Sequence, residues 1–193
     1  MAPSNAANKT VLWTSDNPAS VTVNVYGAVT AAALGNAVIT ATTADGGKTA
    51  ACAVSVVAAP NLLANPGFEA GDFIGWPTHF TQAAIVGSNA HTGDYAARLT
   101  TAYGGIEQYI SGLAPNTTYT LRAWAKGTNG EFGVRNYGSY QRQVYVNAAE
   151  YTQGEITFTT GSTNTTVTVF MYKRAAAGEV YFDDFELLIK TPQ

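Results

Sequence analysis

Two groups of acidic residues, far apart in the chain, are the first candidates for chemistry. Glu69 ends a short apolar run that Pro66 and Gly67 bend, and Asp183 and Asp184 lie together in an alternating stretch more than a hundred residues later. If the strands that carry these groups lie side by side, Glu69 and one of the aspartates meet at one end of a sheet. Such carboxylates are either solvated at a strand end or hold a bound group, and the residue types alone leave both interpretations open.

A second candidate site follows from the alternation of side chains along predicted strands. In residues 118–126, one set of alternate residues is apolar and predicts the core face, which places Trp124 on the outer face beside Arg122. The same alternation adds Arg135, Tyr137, Phe170 and Tyr172 from other strands to the predicted outer face, and Gln108 and Asn136 are further candidates for polar contacts through their amide groups. Tyr140, next to Gly138, lies in a predicted loop nearby.

This set of residue types suits a sugar. A sugar ring has an apolar C–H face and a rim of hydroxyl groups, so flat aromatic rings flanked by guanidinium and amide groups are able to bind it. Other interpretations stay open: Trp124 covers a sheet edge or packs beneath a loop, and Tyr137 and Tyr140 pack within their own loop. Trp76 is assigned to structure, although together with Tyr103 and Tyr140 it becomes a candidate if a ligand binds at the loops.

The elements that must position these residues are strands. Hydrophobic residues make up 46% of the chain and charged residues only 12%, with short alternating runs separated by Gly, Pro and Asn turns, and no stretch of helical length has a 3.6-residue period. The break at Ala59-Pro60 predicts two domains, 1–59 and 60–193. We predict an all-β protein, in which a small β-sandwich precedes a larger antiparallel β-sandwich of nine strands, a jelly roll.

Composition excludes several classes of partner. A net charge of −3, with ten basic residues spread thinly, leaves no positive surface for a phosphate backbone, so we expect no nucleic acid. No apolar run approaches the roughly 18 residues of a membrane span, so we expect no membrane insertion. Cys52 is the only cysteine, which rules out an intramolecular disulfide, and its alternating surroundings predict a small buried hydrophobe.

The first sixty residues resemble the bacterial immunoglobulin-like group 2 domain. The resemblance is carried by residues 11–21, 27–31 and 35–47, which include Trp13, Asp16-Asn17-Pro18 and Asp45-Gly46-Gly47. It implies an immunoglobulin-like β-sandwich that acts as a spacer or adhesive module in a secreted protein or one on the bacterial cell surface. Trp13 is expected to fill the core.

The remainder of the chain resembles the β-jelly-roll carbohydrate-binding modules of families 4, 9 and 22. Four motifs carry the resemblance in order: residues 61–71, 91–99, 112–121 with Trp124, and 181–187. The resemblance implies a non-catalytic module that holds a polysaccharide or oligosaccharide for the catalytic domain of a larger glycoside hydrolase or lyase. It also makes Trp124 the principal sugar contact, and we expect the chain to be a monomer.

The same resemblance implies a structural calcium ion. Carried over by position, its ligands are the carbonyls of Gly67, His91 and Asp94 and the carboxylates of Glu69 and Asp183, with Asp184 as the alternative to Asp183. Calcium takes six to eight hard oxygen ligands, and two carboxylates with backbone carbonyls form such a set.

Two other functions are weighed against this one. Catalysis would need a suitably spaced acid and base, but Glu69 with Asp183 is better explained by calcium, and Glu107 and Glu131 are predicted at strand ends or turns. We therefore expect a binding module and not an enzyme. The alternative binding function is surface adhesion or cell-wall attachment, in which the same sandwich contacts protein.

Overall fold

The structure, a computed structural model, describes residues 8–80 and 83–190. The chain divides between Ala59 and Pro60 into two compact units, which are described separately. No helix in the described residues is long and apolar enough to cross a membrane.

The first unit has two small antiparallel sheets. One has the strand order β1-β4-β5, formed by β1 (Val11–Ser15), β4 (Gly35–Thr43) and β5 (Thr49–Val56), and the other pairs β2 (Val21–Val23) with β3 (Val29–Ala31). Val21, Ala37 and Ile39 form the core, and Trp13 packs against them as the sequence predicts. Cys52 is exposed, so its predicted burial is wrong. It lies on the edge strand β5, while the β2–β3 hairpin contacts β1 and β4.

The second unit is one continuous, curled antiparallel sheet that folds into two layers. Its strands are β6 (Thr78–Phe80), β7 (Ala83–Val86), β8 (Ala96–Leu99), β9 (Gly104–Ser111), β10 (Thr118–Arg135), β11 (Arg142–Thr159), β12 (Thr166–Lys173) and β13 (Val180–Ile189). Residues 119–127 of β10 pair with β13, whereas residues 130–135 pair with β12. The first layer therefore contains β7, β8, β13 and the first half of β10, and the second layer contains β6, β9, β12 and the second half of β10.

The strand β10 changes layer at Gly127. Residues 127–130 have the composition of a turn, yet β10 continues through them, with register shifts on both sides of Gly127. Gly127 has φ +114°, and a side chain there would collide with the backbone of Glu179 and Val180, so only glycine fits. β-Bulges increase local twist, which explains how one strand serves two layers.

The core between the layers is aromatic and aliphatic. Tyr119, Leu121, Ala123 and Ala125 are buried, which confirms the predicted inward face of β10. From the second layer, Phe132 contacts rings of the first layer, with its centroid 6.5 Å from Phe182 and 5.8 Å from Phe185. The all-β sandwich is therefore confirmed, and the described residues of the second unit form eight strands in place of the nine predicted.

Candidate functional site

The outer face of the second layer is rich in tyrosine and in charged pairs. Residues directly opposite one another on antiparallel strands share a face. Two such rows cross β9, β12, β10 and β11, and a third crosses β9, β12 and β10. We call this surface the tyrosine face, and its rows are Gly105, Tyr172, Glu131 and Tyr145, then Glu107, Phe170, Gly133 and Gln143, then Tyr109, Thr168 and Arg135.

Two glycines flatten the tyrosine face. A side chain added at Gly105 would lie 2.6 Å from Cδ2 of Tyr172, and one at Gly133 would lie 2.7 Å from Cζ of Phe170. Both rings therefore lie across the backbone of a neighbouring strand. Tyr109 and Tyr145 at the margins are 64% and 63% exposed, so the face combines a packed aromatic floor with free rings at its edges.

Two arginine–glutamate pairs surround this floor. The guanidinium of Arg135 bonds the carboxylate of Glu107 and lies 5.9 Å from the centre of the Phe170 ring. The guanidinium of Arg174 bonds the carboxylate of Glu131 at 2.6 Å and lies 5.3 Å from the centre of the Tyr145 ring. Both carboxylates lie within strands and not, as predicted, at strand ends or turns. Each pair combines one positive and one negative side chain, so the pairs add little net charge to the face. They place hydrogen-bond donors and acceptors in fixed positions beside the aromatic rings.

The predicted sugar-binding residues do not form one site. Trp124 and Arg122 lie on the first layer, while Arg135 and Tyr172 lie on the second, because β10 carries residues into both layers. Trp124 is half-buried, and its ring stacks on His91 with centroids 4.0 Å apart. Arg122 bonds Glu155 at 2.7 Å, and this bond raises the pKa of its guanidinium.

Two residues predicted on the outer face, Tyr137 and Phe170, are buried, and so is the predicted sugar-binding residue Gln108. Tyr137 is 1% exposed because Asn136 adopts a left-handed backbone (φ +59°), which ends the alternation, and the Tyr137 hydroxyl donates to the carbonyl of Tyr140. Gln108 is 5% exposed and faces the core opposite Val169, and its amide bonds the backbone of Ala64 through both polar atoms. The predictions for Tyr137 and Gln108 are wrong.

Phe170 has the predicted orientation, but it too is buried, under Arg135 and against Gly133. Tyr140 is 92% exposed in the loop between β10 and β11, and Tyr103, just before β9, is 70% exposed. Trp76 is buried between Phe68 and Phe185, in keeping with a structural role.

Sequence reasoning missed Tyr109 and Tyr145, although Tyr109 alternates with buried Ile106, Gln108 and Ile110 along β9.

The acidic groups singled out first lie together at one end of the first layer. Glu69 accepts the backbone N–H groups of Asp94 and Tyr95 at 2.9 and 3.0 Å. Asp183 is fully buried and accepts the N–H of His91 at 2.7 Å. A Cβ atom added at Gly93, which has φ +65°, would lie 2.5 Å from the Glu69 carboxylate. The backbone of the 91–94 turn therefore packs directly against that carboxylate.

Gly67 lies beside all of these carboxylates. A Cβ atom at this position would be 3.4 Å from Oδ1 of Asp184, 3.7 Å from Oδ1 of Asp183 and 3.7 Å from Cγ of Glu69. Asp184 also bonds Nδ1 of His91 at 2.7 Å. The five predicted calcium ligands therefore belong to segments that the fold brings together.

The donor set fits a hard cation. Burial raises the pKa of the Asp183 carboxyl to about 6, and Asp183 has no basic partner among the ion pairs of the described residues. The described residues contain no cluster of three or more His, Cys, Asp or Glu side chains arranged for a metal. The predicted set has only two carboxylates and takes its other oxygens from carbonyls, so it does not require such a cluster.

A two-layer antiparallel β-sandwich with aromatic rings on one outer face is compatible with the class of carbohydrate-binding β-sandwich modules. Residues 60–178 match the family described as "Carbohydrate binding domain", and residues 1–54 match "Bacterial Ig-like domain (group 2)". The first match covers more than half of the chain, so the chain belongs to the carbohydrate-binding domain family. Both resemblances noted in the sequence are thereby confirmed.

Individual relatives agree with this assignment. The chain is 40% identical over 130 residues, 65% of its length, to a keratan-sulfate endo-1,4-β-galactosidase of Sphingobacterium multivorum, of which the match covers 31%. It is 53% identical over 57 residues, 29% of its length, to 22% of an Ig-like virion protein of Serratia phage KSP90. The chain thus spans a third or less of these curated relatives.

A solved structure shows the same fold. A family 61 carbohydrate-binding module in complex with β-1,4-galactotriose superposes with a TM-score of 0.58 at 25% identity, over 68% of this chain and 99% of the module. The carbohydrate-binding β-sandwich fold is therefore shared along the whole of that module.

Proposed function

We propose that the second unit binds a polysaccharide containing β-1,4-linked galactose at the tyrosine face and performs no catalysis of its own. The observation that carries the proposal is the composition of that face within a carbohydrate-binding domain. Four aromatic rings lie on or beside a flat floor, and two arginine–glutamate pairs supply fixed hydrogen-bonding groups.

The choice of sugar comes from two relatives. The curated enzyme is named for cleavage of a β-1,4-galactosidic bond, and the superposed module holds β-1,4-galactotriose. Galactose has an axial hydroxyl on one ring face and C–H groups on the other. We therefore expect the C–H face to lie on Tyr109, Tyr145 or Tyr172, while hydroxyl groups bond the exposed guanidinium groups of Arg135 and Arg174.

The carboxylates of the face support a role without catalysis. Glu107 bonds Arg135 and Glu131 bonds Arg174, so each carboxylate is already engaged in an ion pair within the module. A glycosidase needs two carboxyl groups on either side of the scissile bond, one as general acid and one as base or nucleophile. The engagement of both glutamates of the tyrosine face in ion pairs favours binding over catalysis.

A structural calcium ion belongs to the proposal. Glu69, Asp183 and the carbonyls of Gly67, His91 and Asp94 would hold it, with Asp184 adjacent. The ion would supply the positive charge that the buried Asp183 carboxylate lacks and would join residues 67–69, the 91–94 turn and β13. This is a stabilising role, because the tyrosine face lies on the other layer.

We place the chain in a larger protein that is secreted or displayed on a bacterial surface, with the first unit as an immunoglobulin-like spacer. The curated galactosidase is about three times as long as its matched segment, which leaves room for a separate catalytic domain. In this arrangement the module acts as a monomer and keeps the attached enzyme close to its polymer.

Surface adhesion is the second candidate function. It is favoured by the 53% identity of the first unit to an Ig-like virion protein. Under this function the first unit would contact a protein partner and the second unit would have no preference for galactan.

Affinity electrophoresis in gels that contain β-1,4-galactan, xylan or a cellulose derivative tests the proposal. We expect retardation by galactan, and Tyr109→Ala and Tyr145→Ala should each weaken binding by roughly 3- to 10-fold. Tyr26→Ala, which removes an exposed tyrosine of the first unit, is the matched control. Equal mobility of the wild-type protein in every gel would refute the proposal, and protein capture without glycan binding would favour adhesion.

A further inference from the structure

A buried lysine at the end of β12 has no role in the site described so far. Lys173 is fully buried and lies on the inward side of the second layer, two positions after the buried Met171. The residues opposite it on the neighbouring strands are Gly104 and Gly130, which leave space for its long side chain. Burial of an ammonium group is costly unless its N–H groups find acceptors, so a lysine at a core position indicates a specific task.

The ammonium of Lys173 bonds backbone carbonyl groups. Its Nζ donates to the carbonyl of Ala177 at 2.8 Å and to that of Thr128 at 3.3 Å. No ion pair of the described residues includes Lys173, and burial lowers the pKa of its ammonium. The side chains of Thr128 and Asn129 also donate to the Ala177 carbonyl, each at 3.3 Å. Three donors therefore meet at one carbonyl and tie residues 174–177 to the bend of β10.

The segment held in this way begins with Arg174, one of the two arginines beside the tyrosine face. The backbone N–H of Arg174 donates to the carbonyl of Asn129 at 2.7 Å, and its guanidinium donates to Glu131 at 2.6 Å. The side chain of Glu131 is 7% exposed and that of Arg174 is 51% exposed, so the arginine is the member of the pair that a ligand can reach. The segment is thus fixed at its first residue by Asn129 and at its last by Lys173.

We propose that Lys173 is a positioning residue for the tyrosine face, which fixes residues 174–177 so that the Arg174 guanidinium is already oriented when a sugar hydroxyl meets it. This role rests on the proposed function, in which Arg174 bonds the sugar. An arginine that a ligand must immobilise loses much side-chain freedom, and one that is held in place beforehand loses less, which strengthens binding. Lys173 itself is buried and acts only through Arg174.

Galactan affinity of the full chain in a double-mutant cycle tests the link between Lys173 and Arg174. Lys173→Met keeps an unbranched side chain but removes the donors, and it should weaken galactan binding about five- to tenfold. Arg174→Gln should weaken binding by a similar factor, and the double variant should bind no more weakly than Arg174→Gln alone. Tyr109 lies on β9 at another margin of the face, so Lys173→Met should keep its full effect in a Tyr109→Ala background. The positioning role is overturned if Lys173→Met leaves the affinity unchanged or weakens it equally with and without Arg174.

A second variant keeps the test valid if Lys173→Met does not fold. Asn129 has φ +57°, a conformation that glycine adopts without strain, so Asn129→Gly removes one donor to the Ala177 carbonyl and leaves the backbone path intact. It should weaken galactan binding about two- to threefold, and again only while Arg174 is present. The same loss in an Arg174→Gln background would contradict the role assigned to the anchored segment.

The Nε–H signal of Arg174 in a ¹H–¹⁵N NMR spectrum of the ligand-free protein gives a readout that does not depend on glycan. The signal is assigned by its loss in Arg174→Gln, and its heteronuclear Overhauser effect should be that of an ordered group. Lys173→Met should lower this effect to that of a mobile side chain, whereas Lys190→Met, which removes an exposed lysine of the second unit, should not change it. An unchanged effect in Lys173→Met would overturn the positioning role, whatever the galactan result. A lowered effect in a protein that binds no galactan would refute the proposed function and would still support the hold of Lys173 on Arg174.

Discussion

Replacement of Glu69 by glutamine separates a calcium ligand from an ordinary turn-stabilising carboxylate. Glutamine keeps the shape of the side chain and one acceptor oxygen, but its NH₂ group cannot accept the second of the two N–H groups that Glu69 now binds. Loss of one hydrogen bond to a charged group costs about 1.5 kcal/mol, the lower end of the range because Glu69 is exposed. This cost is present with or without metal.

Calcium adds a separate, concentration-dependent contribution. An ion that binds only the folded state stabilises it by about 2.7 kcal/mol when its free concentration is a hundredfold above the Kd. For a unit of this size, 1 kcal/mol shifts Tm by roughly 4 °C. Wild-type protein should therefore gain about 10 °C on addition of calcium, while Glu69→Gln should lose about 6 °C in chelator and gain nothing from the ion.

The measurement is thermal unfolding followed by tryptophan fluorescence in a Trp13→Phe background. The remaining tryptophans, Trp76 and Trp124, both lie in the second unit, so the transition belongs to that unit alone. Glu150→Gln, which neutralises an exposed carboxylate of β11, is the matched control and should keep the full calcium response. If Glu69→Gln kept the calcium-dependent rise in Tm, Glu69 would be no ligand and the assigned donor set would be wrong.

Three further predictions test the packing. Tyr137→Phe removes the hydroxyl that bonds the Tyr140 carbonyl, so urea unfolding should show a loss of about 1 kcal/mol, whereas galactan affinity should not change; a tenfold loss of affinity would restore Tyr137 as a contact. Phe132→Ala should cost about 3–5 kcal/mol in the same assay, because its ring joins the two layers, and a cost below about 1 kcal/mol would contradict that position. Cys52 should react with an aromatic disulfide reagent in the native protein as fast as a free thiol, and protection until unfolding would show that it is buried.

Local patterns predicted the strands and the core more completely than the surface. The inward set of β10 is apolar at alternate positions, and each of Tyr119, Leu121 and Ala123 is buried as expected. Alternation fails where the backbone leaves the strand region. Asn136 has positive φ, and this single residue turns Tyr137 from the outer face into the core.

The division of the predicted sugar-binding set arises from long-range pairing. Alternation correctly assigns Trp124 and Arg135 to the outside, but it carries no information on which strand lies beside each half of β10. The Gly127–Gly130 stretch has the composition of a turn, and only its pairing with β11, β12 and β13 shows that it bends a continuous strand. The convergence of Glu69, the 91–94 turn and Asp183 follows from the family resemblance, because residues 61–71, 91–99 and 181–187 carry the family's motifs in order.

The chain enters and leaves the second unit at adjacent points. The N–H of Leu62 bonds the carbonyl of Leu187, the N–H of Phe185 bonds the carbonyl of Pro66, and the side chain of Asn61 bonds both the carbonyl of Phe185 and the N–H of Leu187. The two segments run antiparallel, and their outer ends lie together. Tension that pulls these ends apart would therefore break the hydrogen bonds one after another and would not load them all at once. The contacts of Asn61 lie at the outer end of this seam, so they would be among the first to open under such tension.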